Sequence, residues 1–401
     1  MTMKQRATAL FLVLAGAVLL PTLIATGELG ELPKDPLEGR NVFIGKGCAR
    51  CHAIWGEGAR IGPDLGKIGA GRSALELAGV LWNHSPEMLE KMLERKMARP
   101  EFTPQEMTSL ISFLLYLNYF DEPGDLKAGE RLFTEKSCVR CHTVGGRGGS
   151  VGPPLDRYQR YLSPLFMIQA MWNHGPQMGK IMQALGVERP VFAGREVADL
   201  LTYIRQTAKD SQETRVYMQP GNPDHGKQLF TEKGCINCHS ILGEGGKVGP
   251  DLGRRPLRRS LIEVAGLMWN HELLMWQKAQ ELNIPMPTFV DQEMADVIAY
   301  LYFIALQGEP GDAIRGRQSF ERLRCEACHP VEGVGKKIGP DLVQSKAIRQ
   351  PIELATAMWN HGPIMAKWVQ ERNLPWPAVV GNDVADLQIY LLTLQPSSPS
   401  Q

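Results

Sequence analysis

The 401-residue chain lacks an excess of charge of either sign: 44 lysines and arginines against 43 aspartates and glutamates leave a formal net charge of +1. That balance offers no electrostatic footprint for nucleic acid or for anionic lipid. With 43% hydrophobic and 22% charged residues, the chain has neither the composition of a disordered segment nor that of a polytopic membrane protein. No cysteine stands alone. All eight fall in C-x-x-C pairs, so none is left for a disulfide, a zinc site or a catalytic thiol.

The one long apolar run, residues 7–25, lacks a clean A-x-A cleavage site and a cysteine for lipid attachment. Lys4 and Arg6 precede it, and Glu28, Glu31 and Asp35 follow. This charge order places the remainder on the extracytoplasmic, periplasmic side. The run is near the lower length limit for a spanning helix. A retained signal-anchor is the preferred reading and a cleaved signal peptide the alternative.

What is abundant is repetition. The cysteine pairs lie in CARCH (Cys48, Cys51, His52), CVRCH (Cys138, Cys141, His142), CINCH (Cys235, Cys238, His239) and CEACH (Cys325, Cys328, His329). A Gly-x-x-x-Phe element precedes each motif: Gly39 and Phe43, Gly129 and Phe133, Gly226 and Phe230, Gly316 and Phe320. Eleven residues after each histidine comes a proline, Pro63, Pro153, Pro250 or Pro340, in GPDL or GPPL. Thirty residues after it comes Trp82, Trp172, Trp269 or Trp359. A late proline follows (Pro100, Pro190, Pro287, Pro377), then an aromatic (Phe113, Tyr203, Tyr300, Tyr390). The register has no gap, and length variation falls in Pro/Gly/Asp-rich linkers such as EPGD at 122–125 and 309–312. These divide the chain into a segment 1–27 and repeats 28–122, 123–219, 220–309 and 310–401. The longer middle linker region points to a two-plus-two arrangement. Apolar periodicity predicts an all-α fold. A unit of about 90 residues has little core of its own, so a bound apolar group would complete each one.

C-x-x-C-H carries its own chemistry. Two thiols on a helical turn reach two vinyl groups on one porphyrin edge, and the adjacent histidine points at the iron. Four copies that consume every cysteine predict four covalent haem c groups, with His52, His142, His239 and His329 as proximal iron ligands. The repeat unit resembles a class I cytochrome c domain, over about 360 of the 401 residues. The likeness rests on Gly-x-x-x-Phe, C-x-x-C-H, GPDL and the final-helix aromatic. It implies four tandem haem domains after the N-terminal membrane segment, with first and last helices crossing at the glycine and aromatic. It also implies that Pro63, Pro153, Pro250 and Pro340 accept a hydrogen bond from the proximal histidine.

The sequence departs from class I at the sixth ligand. The residues before the late prolines are Arg99, Arg189, Met286 and Trp376, so the usual Met-Pro position cannot serve all four repeats. A Trp-Asn-His-x-x-x-Met element can: Met88, Met178, Met275 and Met365 lie 36 residues after each proximal histidine, and His84, His174, His271 and His361 lie 32 after. Spaced four apart, they share one helix face. Ser85-Pro86, Gly175-Pro176 and Gly362-Pro363 are expected to break the helix after the histidine, placing methionine in a new first turn. Methionine is the preferred ligand and histidine the alternative. The tryptophans are read as core or haem-wall packing.

With two axial candidates in every repeat, no iron is predicted to be open to substrate. The expected role is an electron carrier between a membrane quinol-oxidising complex, a terminal reductase or oxidase, or a small cytochrome. The alternatives are a haem oxidoreductase with one accessible iron, and a fixed electron wire within a membrane complex. The tetrahaem subunit of photosynthetic reaction centres takes its distal methionines from helices preceding each motif. No such methionine precedes the motifs here.

Overall fold

The computed structural model describes residues 36–67, 72–117, 122–156, 163–207, 221–254, 257 and 259–395. The expected N-terminal membrane segment lies outside them. No helix among the described residues is long and apolar enough to cross a membrane.

The chain is mostly helical, and one series of elements recurs along it. Repeat 1 comprises α1 (Pro36–Gly45), a two-residue hairpin β1 (Ala53–Ile54) and β2 (Glu57–Gly58), α2 (Ala74–Asn83), α3 (Ser85–Glu94) and α4 (Pro104–Tyr116). Repeat 2 has α5 (Leu126–Glu135), β3 (Thr143–Val144), β4 (Arg147–Gly148), α6 (Pro164–Ala184) and α7 (Glu196–Thr207). Repeat 3 has α8 (Pro223–Glu232), β5 (Ser240–Ile241), β6 (Glu244–Gly245), α9 (Leu261–Glu281) and α10 (Glu293–Gln307). Repeat 4 has α11 (Ala313–Arg322), α12 (Pro351–Glu371) and α13 (Asp383–Thr393). In repeat 4 the hairpin shrinks to one bridge, Val331 to Val334.

The first and last helices of each repeat cross at the predicted glycine. A Cβ at Gly39, Gly129, Gly226 or Gly316 would collide with the backbone carbonyl of Ser109, Asp199, Asp296 or Asp386. Only glycine lets the backbones approach this closely. The aromatics then meet: ring centroids are 5.8 Å apart for Phe43 and Phe113, 5.5 Å for Phe133 and Tyr203, 5.8 Å for Phe230 and Tyr300, and 5.7 Å for Phe320 and Tyr390.

The helix break expected after Trp-Asn-His is found only in repeat 1, where His84 (φ −88°, ψ −4°) separates α2 from α3. Helices α6 and α12 run unbroken through Pro176 and Pro363, and α9 is also continuous. A proline inside a helix costs a backbone hydrogen bond and orphans the carbonyl four residues earlier. For Pro363 that carbonyl is Trp359 O, and Arg99 Nη2 donates to it at 3.3 Å. A donor from another repeat thus compensates the proline.

The repeats pack as two nested pairs, 2 with 3 and 1 with 4. One core joins Leu165, Ile168 and Leu201 of repeat 2 to Val264, Met294 and Ile298 of repeat 3. Another joins Met107, Ile111 and Phe113 of repeat 1 to Ile352, Ala355 and Trp359 of repeat 4. The pairing uses the repeated Trp-Asn on both sides. The indole N–H of Trp82 donates to Pro377 O (2.9 Å), and that of Trp359 to Pro100 O (2.8 Å). Trp172 donates to Pro287 O (2.8 Å), and Trp269 to Pro190 O (2.6 Å). Each neighbouring asparagine gives and takes one bond with a single backbone residue opposite: Asn83 with Val379, Asn360 with Phe102, Asn173 with Phe289, Asn270 with Phe192. The tryptophans do pack in the core, but their polar edges and the late prolines serve a contact between repeats.

Candidate functional site

Each C-x-x-C forms a short 3-10 turn after the first helix: Cys48–Arg50, Cys138–Arg140, Cys235–Asn237 and Cys325–Ala327. A left-handed residue precedes each turn: Gly47 (φ 83°), Ser137 (φ 62°), Gly234 (φ 77°) and Arg324 (φ 57°). Two of these are not glycine, so the turn is held by its surroundings. All eight cysteines are unbridged. Burial pushes the Cys48, Cys138 and Cys235 thiols up to about 11 and Cys325 to about 12. At neutral pH these four are therefore thiols rather than thiolates.

The histidine after each pair has its ring held through Nδ1. Nδ1 lies 3.0 Å from Pro63 O in His52, 2.9 Å from Pro153 O in His142, 3.1 Å from Pro250 O in His239 and 3.0 Å from Pro340 O in His329. A carbonyl only accepts, so Nδ1 carries a proton, and the neutral ring then presents its lone pair at Nε2. The glycine before each proline packs flat on the ring. A Cβ at Gly62, Gly152, Gly249 or Gly339 would lie 2.5–2.7 Å from Nδ1.

The following loop is tied down by an aspartate. Asp64 accepts from the backbone N–H groups of Trp55, Gly56 and Gly66, and Asp251 from those of Leu242, Gly243, Gly253 and Arg254. Repeat 2 has Pro154 in place of that aspartate, and Asp156 takes over by binding Gly145 N at 3.0 Å.

Isoleucine or valine stands just before each ring-stacked glycine and is exposed: Ile61 47%, Val151 57%, Val248 50%, Ile338 37%. Unsatisfied apolar side chains in one register of all four repeats, beside a histidine with a free Nε2 and two thiols, fit an apolar macrocycle with a metal at its centre. Among the described residues no group of three or more His, Cys, Asp or Glu could hold a metal ion by itself. The histidines suit a metal that arrives with most of its coordination already filled.

The second set of candidates lies on the helices of the pair interface. Nδ1 of His84 is 2.9 Å from Val80 O, that of His174 2.9 Å from Ala170 O, and that of His271 2.8 Å from Leu267 O. By the same argument the neutral ring of each presents its lone pair at Nε2. Burial lowers the His361 pKa, and the nearby charge of His329 adds to the effect. His361 and His329 thus lie within electrostatic reach of one another. Met88 packs against the core shared by repeats 1 and 4, Met365 against the cluster that holds Trp82 and Val379, and Met178 and Met275 are half-buried.

Three of the four residues before the late prolines, the ones whose side chains could not ligate iron, have work at the pair interface. The Arg99 guanidinium lies 3.9 Å over the Trp359 ring, and that of Arg189 lies 3.7 Å over Trp269. Trp376 stacks on Trp82 with centroids 4.4 Å apart. The lack of a common ligand type at this register was the only sequence signal for that different use.

Residues 37–118 and 223–302 match the family model described as cytochrome c. Residues 124–204 match that of the cytochrome c oxidase, cbb3-type, subunit III. The C subunit of nitric oxide reductase from Stutzerimonas stutzeri is 30% identical over 126 residues, covering 29% of this chain and 84% of that protein. Its counterpart from Halomonas halodenitrificans is 34% identical over 87 residues, 19% of this chain and 54% of that protein. No solved structure matches the chain. The cysteine pairs, the oriented histidines and these likenesses together make the chain a member of the cytochrome c family, which binds haem c covalently and transfers electrons.

Proposed function

We infer that the chain carries four haem c groups, one per repeat, and relays electrons between redox partners on the extracytoplasmic side of a membrane, with residues 1–27 as its anchor. The observation that supports this best is the fourfold recurrence of one arrangement: a thiol pair, a histidine oriented through a proline carbonyl, and a second ligand candidate on the interface helix. When bound, haem c supplies reversible one-electron chemistry at its iron. The chain's residues do the rest. Cys48 and Cys51, Cys138 and Cys141, Cys235 and Cys238, and Cys325 and Cys328 form the thioether links. The proline carbonyls hold His52, His142, His239 and His329 in the tautomer that donates through Nε2 and strengthen that donation. The exposed Ile61, Val151, Val248 and Ile338 cover apolar ring surface and exclude water.

Met88, Met178, Met275 and Met365 are the proposed sixth ligands, with His84, His174, His271 and His361 as the alternative. The Nδ1 bonds of three of those histidines and the core packing of Met88 and Met365 lend the alternative support. Either assignment leaves every iron six-coordinate, which favours a carrier over an oxidoreductase. A pyridine haemochrome assay of the matured full chain tests the count, and four haems per chain are expected. Carbon monoxide titration of the reduced protein tests the carrier role. Tight binding to one haem at neutral pH would replace it with an oxidoreductase reading.

The likeness to the C subunit of nitric oxide reductase supports a more specific role, a fixed electron wire within a membrane respiratory complex. Mild detergent extraction of the native membrane, followed by identification of whatever travels with this chain, separates wire from free carrier.

A further inference from the structure

The two pair interfaces are built alike but charged differently. Between repeats 2 and 3, Arg189 donates to Gly175 O at 3.2 Å and Trp269 O at 3.3 Å, and its Nη2 meets Glu272 Oε2 at 2.5 Å. Glu272 is 2% exposed and fills the space over Gly175, where any Cβ would strike its carboxylate. Between repeats 1 and 4, Arg99 makes the matching bonds, to Ser85 O and Trp359 O, both at 3.3 Å. Gly362 stands where Glu272 stands in the other pair, and its added Cβ would lie 3.5 Å from Arg99 Nη2. Among the described residues no carboxylate pairs with Arg99, and its buried Nε has no partner. Burial alone lowers the guanidinium pKa, to about 10, so it stays charged at neutral pH.

Arg99 bonds the carbonyl of the residue after His84 and that of the residue two before His361. It therefore sits between the sixth-ligand segments of both repeats in its pair. A part-buried positive charge disfavours the more positive ferric iron and raises the midpoint potential, and water screens it less there than at an exposed site. Beside Arg189, the Glu272 carboxylate offsets that charge, with burial raising its pKa and the guanidinium hydrogen bond opposing the rise.

We propose that this charge asymmetry divides the four haems into two couples, a higher-potential one in repeats 1 and 4 and a lower-potential one in repeats 2 and 3. Electrons then run from the inner pair to the outer pair. One electron leaves a ferrous haem of repeats 2 and 3 and reduces a ferric haem of repeats 1 and 4, with no other reactant. The inference rests on the four-haem reading above.

The test is a spectroelectrochemical titration of the matured full chain. Two resolved two-electron waves are expected. Arg99→Met should move the upper wave down and leave the lower one in place, and Arg99→Lys should largely restore it. Glu272→Gln should move the lower wave up and narrow the gap. A single four-electron wave, an Arg99→Met variant with unchanged midpoints, or one that shifts only the lower wave overturns the proposal. If Arg99→Met fails to mature, the near-isosteric Glu272→Gln decides alone, and no shift in that variant is equally fatal. A haemochrome count other than four would instead strike the underlying haem reading.

Discussion

Trp359 in the fourth repeat donates its indole N–H to the carbonyl of Pro100 in the first, at 2.8 Å and across 259 residues of chain. The next residue, Asn360, exchanges two hydrogen bonds with Phe102, at 3.0 and 2.9 Å. Truncating Asn360 therefore strands a backbone donor and a backbone acceptor together.

Asn360→Ala should destabilise the outer pair by about 1–3 kcal/mol for each group left unsatisfied. Amide hydrogen exchange of the haem-loaded protein should show faster exchange at Phe102. The equivalent amide of Phe289, held by Asn173 in the inner pair, should be unchanged. Equal loss at both positions would mean that the pairs do not behave as separate cooperative units.

Gly62→Ala pushes a methyl group into the His52 ring, since the added Cβ lies 2.7 Å from Nδ1. The ring must rotate and lose its bond to Pro63, or the loop must shift. We expect the loss of one haem equivalent per chain, or a low-spin to high-spin change at one haem, read by haemochrome assay and electronic absorption. Gly56→Ala, at a left-handed position with open space around it, controls for backbone strain and should keep its full haem complement.

Methionine ligation gives a far-red sulfur-to-iron absorption band in the oxidised protein. The fully loaded chain should show it, and Met178→Leu should weaken it. A complete absence of the band in a fully loaded sample would assign the sixth position to His84, His174, His271 and His361.

Asp383 opens α13, 7% exposed. Burial alone would raise its pKa, but the Arg322 guanidinium at 2.5 Å, the Ser319 hydroxyl at 2.6 Å and the Val380 N–H at 2.7 Å more than offset this and hold it below the usual value. A carboxyl lowered in the folded state adds stability that is present above its unfolded pKa and lost as pH falls through the folded one. The contact between α11 and α13 should therefore loosen below about pH 4. Asp383→Asn should cost about 1–2 kcal/mol at pH 7 and flatten the acid limb of the stability curve. Parallel acid limbs in the two proteins would assign acid sensitivity to other carboxylates.

Much of the site was legible in the chain because its chemistry is local. Two cysteines and a histidine on one turn, and a proline eleven residues on, lie within one loop's reach, so spacing alone brings them together. The Gly-x-x-x-Phe crossing was equally readable, because only glycine permits such a close backbone approach. The continuous α6 and α12 were not readable, since local proline chemistry argues for a break. A guanidinium from another repeat satisfies the carbonyl that Pro363 orphans. Nor did spacing reveal the partnership of repeats. All four display the same Trp-Asn face, so periodicity treats every pairing alike. The choice of 1 with 4 and 2 with 3 is a matter of complementary shape and charge at single positions: Glu272 against Gly175, Ser85 against Gly362, Trp376 against Trp82. Residues up to 296 positions apart meet there, and only the tertiary structure decides such contacts, because they depend on which side chain fills the space another leaves.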